Sequence, residues 1–127
     1  MNILRPTDIE DEIRLALKDT FTTYVRPLPK NFSVPSLLIT ATGGTTAETI
    51  DTFTVTIDAR AETDAEANEL IRNAIGVLEH QAGQQVGALR SVRLNAQANW
   101  RTDPVRPELK MQSATFLVVA HREQITL

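Results

Sequence analysis

The sequence predicts an α+β fold, a single two-layer domain in which a mostly antiparallel sheet carries two helices on one face. Three observations predict it. Two stretches with apolar residues at helical spacing each follow a capping signal, four further stretches are β-rich, and the pieces run in the order α-β-β-α-β-β. A helix with one apolar stripe has to bury that stripe, and a sheet with one apolar face is the economical place for it. With 127 residues and 42% hydrophobic content, the chain supplies one core and one domain, spanning 1–127.

The first helix is expected over about residues 7–19. Thr7-Asp8-Ile9-Glu10 has the spacing of a capping box, and Ile9, Ile13, Ala16 and Leu17 fall on one helical face. Asp8, Glu10, Asp11 and Glu12 favour the positive end of the helix dipole, while Arg14 and Lys18 suit the other end. Pro27, Pro29 and Pro35 then make residues 21–35 a connector, since proline removes a backbone donor and fixes an extended φ. A short extended piece is expected around Tyr24-Val25.

Ser36 to about residue 42 is an apolar, β-rich run, and Gly43-Gly44 is expected to end it in a hairpin loop over 43–51. Between Thr52 and Ala61 the alternation is nearly complete, with Phe53, Val55, Ile57 and Ala59 against Thr52, Thr54, Thr56, Asp58 and Arg60. A second capping box, Thr63-Asp64-Ala65-Glu66, opens a helix over about 63–82 with a stripe of Ala67, Leu70, Ile71, Ala74, Ile75 and Leu78. The strand over 88–100 alternates again, Val92, Leu94, Ala96, Ala98 and Trp100 against Ser91, Arg93, Asn95, Gln97 and Asn99. Residues 110–122 are apolar on both faces through Phe116, Leu117, Val118 and Val119, the pattern of a central strand covered on both sides.

Composition narrows the function. There is no cysteine, so disulfides and thiolate metal sites are excluded. No apolar run is long enough to cross a membrane, and the acidic start MNILRPTDIEDE lacks the basic patch of a signal peptide, so a soluble chain that stays in the cell is expected. The net charge of −3 argues against a free-standing nucleic-acid binder. Charge is unevenly spread: residues 86–122 carry a local excess of +4, and residues 1–85 of −6. His80 and His121 have no nucleophile or carboxylate at a motif spacing, Gly43-Gly44-Thr45-Thr46 lacks the lysine and helix of a phosphate-binding loop, and the carboxylates of Asp64, Glu66 and Glu69 suit a helix start. Neither an enzyme nor a cofactor or metal site is expected.

One combination is more specific than its parts. Thr54-Val55-Thr56-Ile57-Asp58-Ala59-Arg60-Ala61 leads into a helix rich in Ala and Glu, and Arg93 to Pro104 leads into the loop Trp100-Arg101-Thr102-Asp103-Pro104, followed by a returning strand ending in Arg122. Together with the N-terminal helix, the prolines and the Gly43-Gly44 pair, this resembles the tail terminators of long-tailed bacteriophages (siphoviruses), over nearly the whole chain. The resemblance implies a virion structural protein, assembled in the host bacterial cytoplasm and located at the tail or neck. It implies a hexameric homo-oligomeric ring that ends tail assembly and joins the tail to the head. The tail-tube protein and the head-completion or connector protein would be its partners, with DNA passing the lumen without sequence readout. One departure is that the family often has Pro-Arg-Tyr before the last strand, where this chain has Arg106-Pro107 and no tyrosine.

A ring closed head to tail needs two different complementary patches on each subunit. Arg90, Arg93, Trp100, Arg101, Asp103, Arg106 and Lys110, on or beside the last hairpin, are the expected interface residues, with the cations meeting acidic groups of a neighbour. Two other readings compete: a small α+β ligand-binding or regulatory module, and another head–tail neck protein.

Overall fold

A computed structural model describes residues 1–127. Its elements in chain order are β1 (Asn2–Arg5), α1 (Ile9–Leu17), β2 (Thr23–Val25), β3 (Ser36–Ala47), β4 (Ile50–Ala61), α2 (Asp64–Gly83), β5 (Leu89–Thr102), β6 (Lys110–Ala120) and β7 (Glu123–Thr126). The fold is α+β. Five strands form one sheet in the order β2-β3-β4-β6-β5, antiparallel except for β2 beside β3, and β1 pairs with β7 in a separate two-stranded ribbon.

Both helices lie on one face of the large sheet. Ile13 and Leu17 of α1 and Ile71, Ala74 and Leu78 of α2 join Leu37, Ile39, Val55, Ile57, Ala114, Phe116 and Val118 in one buried cluster. The alternation in β4 is the reason: Val55, Ile57 and Ala59 are fully buried while Thr56 and Asp58 between them are half-buried on the opposite face. Each buried aliphatic side chain contributes about 1.5–3 kcal/mol over its exposed state.

Thr63 caps α2 as its spacing predicts, its hydroxyl accepting from the Glu66 N–H at 3.2 Å. The first helix differs from expectation. Asp8, not Thr7, is its N-cap, accepting from the Asp11 N–H at 3.3 Å, and Thr7 is buried. Two of the early acids also do more than face the helix dipole: Glu10 accepts the Ala41 N–H at 2.8 Å and Glu12 the Ala88 N–H at 3.1 Å, stitching α1 to two strand regions. Gly87, at φ +59, leaves room for that second contact, because a Cβ there would lie 2.7 Å from Glu12 Oε2.

Gly43-Gly44 does not end the strand. The chain passes through a bulge between Ala41 and Gly43 and continues pairing with β4 to a two-residue turn, Glu48-Thr49, both at positive φ. Gly44 is required there by closeness, since a Cβ would sit 2.3 Å from the Thr52 carbonyl oxygen. Residues 43–51 are therefore hairpin rather than loop. The last long strand ends at Ala120, followed by β7. Strand β6 is central, between β4 and β5, but its second face is covered unevenly: away from the helices Met111 and Ser113 are buried, whereas Leu117 and Val119 are only half-buried.

Candidate interaction surface on the β5–β6 hairpin

The loop joining β5 to β6 is built around one carboxylate. Asp103 is fully buried, accepts from Arg60 Nε at 2.6 Å, and accepts the Val105 and Arg106 N–H groups at 2.9 and 3.3 Å. Loop-forming bonds from an aspartate to the backbone ahead are what an Asp-Pro pair favours. The Arg60 and Arg106 guanidiniums lie over the ring of buried Phe32, at 5.6 and 5.3 Å from its centroid. Burial pushes the Asp103 carboxyl up, but the Val105 N–H, Arg60 and the Arg106 N–H outweigh it and hold it below the usual carboxylate value. The loop is thus tied to β4 and to the connector at once.

This geometry corrects one expected interface residue. Asp103 is enclosed by its own chain and presents nothing to a neighbour. Its role is to hold the loop that carries the others. Arg106 is half-buried and paired with Glu108 at 3.1 Å, and half-buried Arg90 donates to the Leu89 carbonyl at 2.9 Å, so both are partly committed within the chain. Arg93 and Lys110 are exposed with no carboxylate partner, and Arg101 bonds only Asn99 Oδ1 at 3.3 Å. Trp100, near the end of β5, is 53% exposed, and Val105, on the loop that follows, 69%.

The structure divides these residues between two faces. Strand β5 is bulged between Leu94 and Ala96 and again between Ala96 and Asn99, so its alternation does not run through. Ala96 pairs with Thr115 and Asn99 with Ser113, on the face away from the helices, while Trp100 pairs with Gln112 on the helix side. Arg101 opens onto the bare face, where it lines a polar cleft of ≈ 590 Å³ with Thr40, Thr56, Asp58 and Arg60. In that cleft Asp58 already accepts from Ser113 and Arg60 is held by Asp103. Arg93 lines a smaller cleft of ≈ 240 Å³ with Thr52, Leu117 and Val119.

At the opposite end of β4, Asp51 makes a second clamp. It accepts two bonds from Arg122 at 2.8 and 2.9 Å and one from Thr46 at 2.7 Å. The Arg122 and Thr46 bonds lower the Asp51 pKa, and the bond to Asp51 raises that of Arg122. Sequence reasoning passed over Arg60, Phe32 and Asp51. Asp51 had a legible signal in principle, a charge at a strand position in step with Phe53 and Val55 on the packed face, whereas Arg60 on the polar face of β4 and Phe32 in the connector had none. No three histidine or carboxylate side chains converge on a common point. Neither the profiles of known protein families nor the curated proteins contain a match to this sequence.

Proposed function

We propose that the chain is a structural subunit of a ring that terminates the tail tube of a long-tailed phage and joins the tail to the head. The reading rests on the resemblance of the whole element order and of the Trp100-to-Pro104 loop. The observation that best supports it is a stiffened hairpin end carrying exposed Trp100, Val105 and the unpaired Arg101, set on a subunit whose exposed acids, Glu62, Asp64 and Glu69, gather on α2 and the segment leading into it. Two unlike patches on one subunit are what a head-to-tail ring uses. Large aromatics and arginines are the side chains that most often anchor such contacts.

In this reading the ring is a hexamer, its neighbours are the tail-tube and head-connector proteins, and the subunit is not catalytic. A net charge of −3 suits a conduit through which DNA must slide, because dense cationic contacts to phosphate would retard it. Solution mass by light scattering behind size exclusion, across concentration and salt, tests the ring. A ring-sized species that weakens with salt is expected, together with capping of isolated tails lacking their terminator. A strict monomer that also fails to cap tails sinks the proposal.

A second reading has one observation in its favour. The ≈ 590 Å³ cleft brings threonine hydroxyls, Asp58 and Arg101 to one concavity, as a small polar ligand would require. A thermal-shift screen of small polar molecules, read against Arg101→Ala, decides whether it binds anything.

A further inference from the structure

Resting on the second reading, in which the ≈ 590 Å³ cleft takes a small polar ligand, we propose that this ligand is a hydroxylated carboxylate of the sugar-acid class. Its carboxylate lies on Arg60 and Arg101, and its hydroxyls on Asp58 and the threonines. Strand register puts both arginines on one face of the sheet. Arg60 of β4 and Arg101 of β5 each pair with Met111 of the strand between them, so their backbones stand two strand spacings apart, roughly 10 Å. An arginine side chain is long enough to cover half of that distance, so one carboxylate between the two can meet both.

Arg60 is the member that points to a ligand. It is 5% exposed and its Nε donates to Asp103 at 2.6 Å, yet neither of its terminal nitrogens has a hydrogen-bond partner in the chain. No fully buried side-chain nitrogen or oxygen lacks a partner, so these two nitrogens belong to the small part of Arg60 that reaches the surface. The only hollow that Arg60 lines is this cleft. A charged donor so nearly enclosed and unpaired calls for an acceptor in the cleft. Arg101 likewise spends only its Nε, on Asn99 Oδ1, and keeps its terminal nitrogens free. Guanidinium forks select acceptors that offer two oxygens in a plane, as a carboxylate does.

The rest of the lining decides between anions. Asp58, in the same cleft, accepts from the Ser113 hydroxyl through one oxygen and keeps the other free. Its charge repels a compact dianion such as phosphate, whereas its free oxygen can accept from a hydroxyl of the ligand. The Thr40 and Thr102 hydroxyls make no hydrogen bond in the chain, and that of Thr56 reaches only Thr115, at 3.5 Å. Buried Met111 lies between the two arginines as an apolar patch for a carbon skeleton. A polyol bearing a single carboxylate uses all of these groups at once, and the cleft volume is within the range of small-molecule sites.

Titration calorimetry of the full chain with sodium glucuronate, glucose and inorganic phosphate tests the assignment. Glucuronate should bind at one site per chain, and glucose, which lacks the carboxylate, about tenfold more weakly or worse, as should phosphate, which lacks the polyol. Arg101→Gln, at an exposed position and so expected to melt with the wild-type chain, should weaken glucuronate about tenfold. Arg101→Lys, which keeps the charge and loses the fork, should fall between the two. Glucose binding as well as glucuronate, or an Arg101→Gln chain that binds glucuronate normally, overturns the placing of a carboxylate on the arginines. Phosphate binding tightest overturns the sugar-acid class while leaving the cleft a ligand site. If none of the three binds, the proposal falls, and the broader screen of polar molecules then judges separately whether the cleft takes any ligand.

Discussion

The two long hairpins of the sheet end at opposite ends of β4, and each end is held by an aspartate on an arginine, yet the two ends behave differently. On β5–β6, Asp103 and Arg60 are both buried, and the carboxylate also organises the loop backbone. On β3–β4, Asp51 is buried but Arg122 is a quarter exposed, and the strands beyond the clamp are exposed through residues 42–50. Like chemistry gives a rigid platform in one place and a pinned but thin arm in the other. The difference lies in what surrounds the pair: Phe32 and the connector close over Arg60, and nothing closes over Arg122 to that degree. Burial raises the stake, because a buried charge left without its partner is costly.

Removing each aspartate in turn breaks this comparison most directly. Asp103→Ala should lower the unfolding free energy by about 3–5 kcal/mol, since Arg60 would be left buried and unpaired. Asp51→Ala should lower it less, because Arg122 can turn toward solvent. Urea denaturation of both variants checks the order, and equal losses would mean that burial is not what separates the two hairpins.

Acid should expose the same asymmetry. Both carboxyls sit below their ordinary value in the folded chain, Asp103 despite its burial and Asp51 through Arg122 and Thr46. A depressed folded pKa means that the unfolded chain takes up the proton first as pH falls. The stabilisation is therefore complete above the unfolded value of about 4 and is lost progressively below it, down through the folded values. The urea midpoint should be flat near neutrality and drop from about pH 4 downward. Asp103→Asn should flatten that drop, and a full-sized drop in this variant would assign the acid sensitivity to other groups.

Backbone closeness distinguishes the hairpins next. At Gly44 the β3 and β4 backbones leave no space for a side chain, with the Thr52 carbonyl oxygen 2.3 Å from where a Cβ would stand. Gly44→Ala should cost about 1–3 kcal/mol, the range for forcing atoms into a filled site. A loss confined to this hairpin, seen as faster amide exchange over β3 and β4 with β5 and β6 unaffected, would confirm that the two arms are held independently.

Much of this architecture was legible in local pattern. The Thr63 cap, the alternation of β4 and the stripe of α2 depend on residues close in sequence, and all three stand in the fold. The features that escaped depend on distant partners. Strands β1 and β7 are four residues each and pair across the length of the chain, Ile3 opposite Ile125, with no periodicity to betray them. Gly43-Gly44 carries the signal of a breaker, but pairing with β4 absorbs it as a bulge. At the first helix the Thr7-to-Glu10 spacing marks the cap one residue early: Asp8 takes the position and Thr7 is buried. The interface candidates were legible as a run of cations and one tryptophan. Which of them stay free was not, because Arg106 is taken up by Phe32 and Glu108, and Asp103 by Arg60.

The smallest expected effect lies in the tips themselves. The β3–β4 tip turns through Glu48 and Thr49 at φ 51 and 68, whereas none of residues 103–109 has positive φ and the loop is shaped by Pro104, Pro107 and the Asp103 bonds instead. Two consecutive positive φ values in a two-residue hairpin turn suit Asn-Gly, and a β-branched threonine is strained there. Replacing Glu48-Thr49 with Asn-Gly should therefore stabilise the chain by about 1 kcal/mol, because the strain is relieved without touching a packed contact. A loss of stability on this replacement, measured by thermal unfolding, would mean that Glu48 or Thr49 makes contacts that outweigh the strain. The thin arm would then be held at its tip as well as at Asp51, and the contrast with the β5–β6 platform would narrow to the clamp alone.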